Sequence, residues 1–320
     1  MRIVDLHCDT LLRCFSEDQP LRENSGHIDI EKLKKGGSLA QFFACFIPFE
    51  GMDKGGTHYG RYELFQEMHA LYRRELEANA DVIAEARSLS DIERNAEAGR
   101  ISAVLTVEDG ALIEGEMDRL YELFDKGVRL ITLTWNYENC IGYPNSPDDA
   151  EHQKGLKPFG IEVVREMDRL GMLIDVSHLS EGGFWDVAKY GSKPFVASHS
   201  CARALCGHQR NLTDGQLRCV AEKGGVVGVN FYSEFLRDGC PHSSLDDIML
   251  HIDHMIKVMG EDHVALGSDF DGIDCTLDLE DFGKMGLLTD ELEKRYGAVI
   301  AEKIMSGNAL RVIGEVTGTL

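Results

Sequence analysis

The chain has 320 residues, 43% of them hydrophobic, and its 55 Asp and Glu against 33 Lys and Arg leave a formal charge of −22. That apolar share supports a packed globule and excludes a disordered polymer, while the acidic balance repels phosphate backbones and anionic headgroups, so no nucleic acid partner is expected. Nine scattered cysteines without a C-x-x-C pair, a start (MRIVDLHCDT) unlike a secretory signal, and no apolar run near the ~18 residues of a membrane span lead to the expectation of a cytoplasmic protein with no membrane partner.

Short apolar or β-branched runs alternate with stretches of helical spacing, the pattern of repeated βα units. In chain order the predicted strands are Ile3 to Leu6, Gln41 to Ile47, Ile101 to Val107, Arg129 to Thr134, Leu173 to Val176, Phe195 to Ala197, Val226 to Asn230 and Val264 to Gly267. Eight is the number that closes a parallel TIM-type (β/α)8 barrel, so the expected fold is an α/β barrel forming a single domain over residues 1–320. Between the strands, helices are predicted over Tyr59 to Glu97, Phe159 to Leu170, Thr213 to Lys223 and Leu245 to Met259, with a C-terminal helical extension from about Thr289. Gly99, Gly127, Gly171 and the Gly224-Gly225 pair stand where such helices must stop before a strand. The aperiodic stretches Glu138 to Pro158, Tyr232 to Ser244 and Ile273 to Gly286 all follow strands, on the side where loops shape a pocket.

Potential metal ligands stand where the apolar runs give out. His7 and Asp9 flank Cys8, and side chains two apart on a strand point the same way, so an imidazole and a carboxylate can grip one cation while Cys8 fills the core. Glu108 closes the third run, where its two oxygens can bridge a pair of cations; the neighbouring Asp109 is the alternative acid, and either residue could instead cap the next helix. His178 closes LIDVSH and His199 closes FVASHS, and imidazoles at matching strand ends suit zinc and similar ions. In GSDFDG, Asp269 sits nearer the strand and is the candidate proton carrier, with Asp271 as support or turn residue. Any one of these residues would ordinarily just hydrogen-bond its surroundings. Their joint occurrence at the mouth of one barrel is costly unless cations offset the charge. His251 and His254 are expected to be packed or solvated, and His58, His69, His152, His242 and His263 have no assigned role.

The segments DLHCDT, VEDG, DVSH, SHS, RN, VNFY and GSDFDG, in that order and over nearly the whole chain, resemble those of the renal or membrane dipeptidases, the M19 metallopeptidases of the amidohydrolase superfamily. The resemblance implies two divalent ions, zinc by preference, with a hydroxide between them: His7, Asp9 and Asp269 at one, His178 and His199 at the other, and Glu108 bridging. It further implies a dipeptide substrate with a C-terminal D-residue tolerated, Arg210 binding its carboxylate with Asn211 alongside, Tyr232 in the pocket, catalytic roles for Asp269 and Glu108, and a homodimer as the expected assembly. One departure stands out. Where many members carry a histidine thought to polarise the scissile carbonyl, this chain reads LTLTWNYEN, with Trp135, counted among the substrate-binding residues, at that place; either the metals alone supply this stabilisation or a neighbour such as Asn136 or Tyr137 contributes. The competing readings are another metal hydrolase of the same superfamily acting on a small amide or lactone, and a catalytically silent metal-binding relative.

Overall fold

Eight parallel strands close a ring in the computed structural model, which describes residues 1–318. They are β1 (Ile3–Cys8), β2 (Ser38–Phe46), β3 (Ile101–Glu108), β4 (Leu130–Thr132), β5 (Leu173–Asp175), β6 (Val196–Ser200), β7 (Val226–Val229) and β8 (Val264–Leu266). Each pairs with the next in sequence, and β8 returns to β1 through Asp5 and Leu266. Closure leaves the ring no free edge, and it confirms the expected (β/α)8 barrel with its C-terminal helices. Strands such as β7, Val-Val-Gly-Val, are buried throughout, as parallel strands covered on both faces must be.

The connecting helices follow the apolar spacing. In the helix Pro158–Leu170, Pro158 enters at the first turn, Val163, Val164 and Met167 face the core, and Gly171 ends it in the left-handed conformation with its N–H on the carbonyls of Met167 and Asp168. One prediction fails here. The stretch Tyr59 to Glu97 is not a single helix but the helices Arg61–Ala78 and Leu89–Glu97, separated by a short strand Ile83–Glu85. That strand pairs with Ile101–Ala103, extending the sheet beside the start of β3. The break is capped on both sides: Asn79 turns its amide back onto the carbonyl of Glu75, and Ser88 accepts the N–H of Asp91. Backbone pairing to a distant strand outweighs the local helical pattern there.

The long mouth loops are only partly irregular. Short helices occupy Asp149–His152 and Ser233–Leu236, and His242–Ser243 pairs with Thr276–Leu277. Among the described residues no helix is long and apolar enough to cross a membrane, and no disulfide forms.

Two apolar clusters organise the interior. The larger lies between the strands and the surrounding helices. The smaller draws on every barrel strand (Val4, Leu6, Ala40, Phe42, Val104, Leu130, Leu173, Val196, Val226 and Ala265) together with Ala309, Val312, Ile313 and Val316 of the last helix, Asn308–Thr317. A cluster fed by all eight strands is the barrel lumen, and most of its members stand early in their strands. The C-terminal helix therefore closes the end opposite the mouth, tied there by the Asn308 amide, which donates to the carbonyls of Glu261 and Val264. Ile313→Ala, removing a side chain only 4% exposed, should cost about 2–5 kcal/mol, read as a lower urea midpoint in the metal-free protein.

Candidate metal centre and substrate cavity

All eight strands run the same way, so their C-terminal ends meet at one mouth. His7 lies in β1 with Asp9 just past it, Glu108 ends β3, His199 lies in β6, and His178 and Asp269 follow β5 and β8 by a short turn. The structure brings all of these side chains together. Glu108 sits between two groups: its Oε2 is 3.3 Å from Nε2 of His7, and its Oε1 is 3.1 Å from Nε2 of His178 and 3.5 Å from Nε2 of His199. On the His7 side, Nε2 also lies 3.4 Å from Asp9 Oδ2 and 3.8 Å from Asp269 Oδ1. The His7 and His199 rings stack at 3.9 Å. Two oxygens of one carboxylate thus address different histidines, the arrangement that a pair of bridged cations requires.

Holding these groups strains the backbone. His178 and Asp269 adopt φ of 68° and 62°, in the left-handed region that non-glycine residues enter at a cost of about 1–3 kcal/mol. Gly272 is needed for a different reason, since a Cβ there would lie 2.1 Å from Oδ2 of Asp9.

A row of partners, of which the sequence flagged only Asn136, orients the donors. Nδ1 of His199 lies 2.7 Å from Oγ of Ser198, whose hydroxyl donates to Asp175 at 2.5 Å. Asp175 also accepts from Thr132 Oγ1 and from the N–H groups of Ser177 and Ser198. An equivalent clamp joins β1 to the end of β8, where Asp5 accepts from the N–H and Oγ of Ser268 and from the Gln41 amide. Asn230 Nδ2 donates to Oδ2 of Asp269 at 2.8 Å, and Nδ1 of His178 lies 3.0 Å from Oδ1 of Asn136. Such partners fix which imidazole nitrogen is free for a cation. The repeated Asp/Ser pairs beside DLH, DVSH, ASH and GSD were the available signal.

Six ionisable side chains share this dry pocket, and their proton affinities conflict. Burial opposes the charge on Glu108, but the three histidines outweigh it and hold its carboxyl well below the usual range. Burial likewise opposes a charged His7, yet Glu108 and Asp9 raise its pKa well above the ordinary imidazole value. Burial and the Glu108 charge push Asp9 up to about 7; burial pushes Asp269 up to about 6. Burial and the Arg210 charge bring His178 down to about 4. The donor set fits divalent cations: Nδ1 and Nε2 of His7 and Oδ1 of Asp9 are buried without a hydrogen-bond partner among the described residues, and mixed imidazole and carboxylate donors suit zinc.

The cluster opens into a cavity of about 530 Å³ that Trp135, Asn136, Arg210, Tyr232 and Phe235 also line. Arg210 is only 5% exposed and reaches the carbonyl of His199 (3.2 Å) and Oγ of Ser200 (3.5 Å), but no carboxylate lies within 4.0 Å of it among the described residues. A buried guanidinium without a counter-ion is a ready anion anchor. Asn211 is a correction: it does not line the cavity, because its amide turns inward to the carbonyls of Cys206 and Phe235 and ties two loops together. Asp109 caps the short helix Gly110–Ile113 rather than entering the cluster. Asp271, as expected, is a turn support, accepting from Thr10 and from the N–H groups of His27 and Ile28. His251 is packed between Ala202 and Leu236, and His254 pairs with Asp214.

Residues 1–319 match the family described as membrane dipeptidase, peptidase family M19. The chain belongs to the membrane dipeptidase family. It is 34% identical to an uncharacterized dipeptidase of Schizosaccharomyces pombe over 90% of this chain and 72% of the other. A crystal structure of the dipeptidase AC, a family M19 metallopeptidase, superposes with a TM-score of 0.89 at 28% identity, covering 100% of this chain and 99% of the other. A Rhodobacter sphaeroides metallopeptidase bound to a phosphinate mimic of L-Ala-D-Ala superposes at 0.88 with 26% identity, covering 99% of each chain. The protein is thus a dipeptidase-type metallopeptidase, and the Glu108-centred cluster is its candidate metal centre.

In this dipeptidase, Gly272→Ala should push Asp9 out of the cluster and weaken divalent binding by ~10-fold or more with the metal-free melting temperature little changed, as read by calorimetric titration and thermal denaturation. A pH dependence also follows. Asp9 and Asp269 titrate in the folded metal-free state at about 7 and about 6, above the 3.8 of an unperturbed Asp. The folded state therefore holds more protons than the unfolded chain between those values, and the stability these groups contribute declines as pH rises through that window. Cation binding must release the same protons, so zinc affinity should fall as pH is lowered from 7 to 5, with proton release measurable by calorimetry in buffers of different ionisation heat.

Proposed function

We propose that this metallopeptidase is a zinc dipeptidase that hydrolyses dipeptides, including those with a C-terminal D-residue, with Asp269 carrying the proton. The observation that carries this reading is Arg210, a buried guanidinium with no carboxylate within 4.0 Å among the described residues, in the same cavity as the Glu108-centred donors. A free carboxylate anchored there places the peptide bond a short, fixed distance away, which selects for length.

A pair of zinc ions held by His7, Asp9, Glu108, His178, His199 and Asp269 supplies, when bound, an acidified water and an electrophile for the peptide carbonyl. The chain's own groups do the rest. Glu108 stays charged between the histidines. Asn230 holds Oδ2 of Asp269 while Oδ1 faces His7 and the cluster, an orientation that keeps the carboxylate beside the reacting water, where it can take a proton and pass it to the departing amine. Tyr232 and Phe235 line the cavity with Arg210, and Asp274 puts negative charge on its wall, where an N-terminal ammonium is welcome. The acidic protein repels nucleic acid but not a neutral zwitterion. Tolerance of a C-terminal D-residue is supported by the Rhodobacter sphaeroides relative, which holds the mimic of L-Ala-D-Ala.

The test is turnover of L-Xaa-D-Xaa and L-Xaa-L-Xaa panels after zinc loading and after chelation. Both should be cleaved when loaded and neither when chelated; activity indifferent to chelators would refute the reading, and zinc content without any turnover would favour a silent metal-binding relative. Arg210→Ala should raise KM by ~10–100-fold, the worth of a charge-assisted hydrogen bond. Asp269→Asn should lower kcat by ~10²–10⁴-fold, with zinc content measured alongside so that lost metal is told apart from lost proton transfer.

A further inference from the structure

We propose that the side-chain amide of Asn136 donates a hydrogen bond to the oxygen of the scissile carbonyl as that carbon becomes tetrahedral; this rests on the dipeptidase reading above. Asn136 follows β4 and is exposed on the cavity wall. It lines both the main cavity and an adjoining one of about 320 Å³, the two sharing His178, Arg210, Tyr232 and Phe235. The residue therefore touches a candidate cation ligand and shares both cavities with the carboxylate anchor, so it borders the space in which the bond to be broken would lie.

The orientation of its amide follows from chemistry. Nε2 of His178 points into the donor set, 3.1 Å from Oε1 of Glu108 and 3.1 Å from Nε2 of His199. A nitrogen that ligates a cation carries no proton, so the imidazole hydrogen resides on Nδ1 and must be donated. Its partner, at 3.0 Å, is Oδ1 of Asn136. With the oxygen committed to His178, the planar amide presents its NH₂ away from the ring, and that group has no acceptor among the described residues. Trp135, by contrast, turns its ring onto Phe46 at 4.8 Å and Tyr137 at 5.7 Å, forming a wall. Asn136 thus offers a neutral, oriented donor whose hydrogen bond strengthens as negative charge grows on the carbonyl oxygen, without gaining or losing a proton.

Two variants separate this role from simple support of His178. Asn136→Asp keeps an oxygen for Nδ1 and lacks the NH₂; Asn136→Leu lacks both and brings no charge. In the zinc-loaded protein, both should lower kcat by ~10²–10³-fold with KM within a few-fold of wild type. Both should weaken binding of a phosphinate dipeptide mimic, measured by calorimetry, by a comparable factor, and Asn136→Asp should retain its zinc by elemental analysis. The proposal is overturned if Asn136→Asp keeps wild-type kcat and mimic affinity while Asn136→Leu loses them, or if Asn136→Asp loses zinc in proportion to activity, since the amide would then act only through His178. A wild-type protein that cleaves no dipeptide but binds the mimic, with binding weakened in both variants, would refute the reaction and keep the donor. Failure of the wild type to do either would remove both.

Discussion

The constraint on which the rest of the structure depends is a buried carboxylate, Glu108, whose two oxygens face different histidines. Taking carboxylates and imidazoles out of water together is expensive unless charge is closely matched. Without cations the match is poor: Asp9 and Asp269 are driven toward protonation while Glu108 is held ionised. Divalent cations would resolve that conflict, because each carboxylate would then face positive charge and each imidazole could stay neutral. The site is organised for what it holds rather than for stability of the empty chain.

The barrel supplies the rigidity this demands, in layers. At the end away from the mouth, residues from every strand pack with the last helix into a dry apolar plug. Nearer the mouth, Asp175 and Asp5 each accept both the N–H and the hydroxyl of a serine on the adjoining strand, Ser198 and Ser268. Those serines immediately precede His199 and Asp269. The same device thus sets one donor on each side of Glu108, and buried networks of this kind hold position only when all members are satisfied. The left-handed backbone at His178 and Asp269 persists because such surroundings over-determine it.

Around the donors, the cavity combines unlike walls. Arg210, without a carboxylate within 4.0 Å among the described residues, puts a buried positive charge near a cluster of acids, and Phe235 packs against its guanidinium at 5.2 Å. Trp135, Phe46, Tyr137 and Phe49 form a chain of aromatic contacts. Asn136, which lines the same cavity, touches a histidine of the cluster. Under the proposed reading, a short zwitterionic substrate would find an anchor for its carboxylate in Arg210 near the donors.

Much of this could be read before any fold was seen. Apolar runs ending in His, Asp or Glu specify both strands and the chemistry at their ends, because strand period and burial are local properties. That is why the barrel, the convergence of six candidate donors at its mouth and the turn role of Asp271 were legible. The failures have a common cause. Ile83–Glu85 reads as helix until β3 lies beside it, since pairing partners are remote in sequence. Asn211 reads as a neighbour of Arg210, yet its amide faces the carbonyls of Cys206 and Phe235. The roles of Asn230 and Ser198, the pairing of Asn136 with His178, and the need for glycine at 272 beside Asp9, likewise arise only when distant strand ends meet. Residue type and period determined which groups the chain carries and where its strands stop; which way each side chain turns, and toward whom, was decided by tertiary packing, because hydrogen-bond direction and close contact belong to pairs of residues that the sequence leaves far apart.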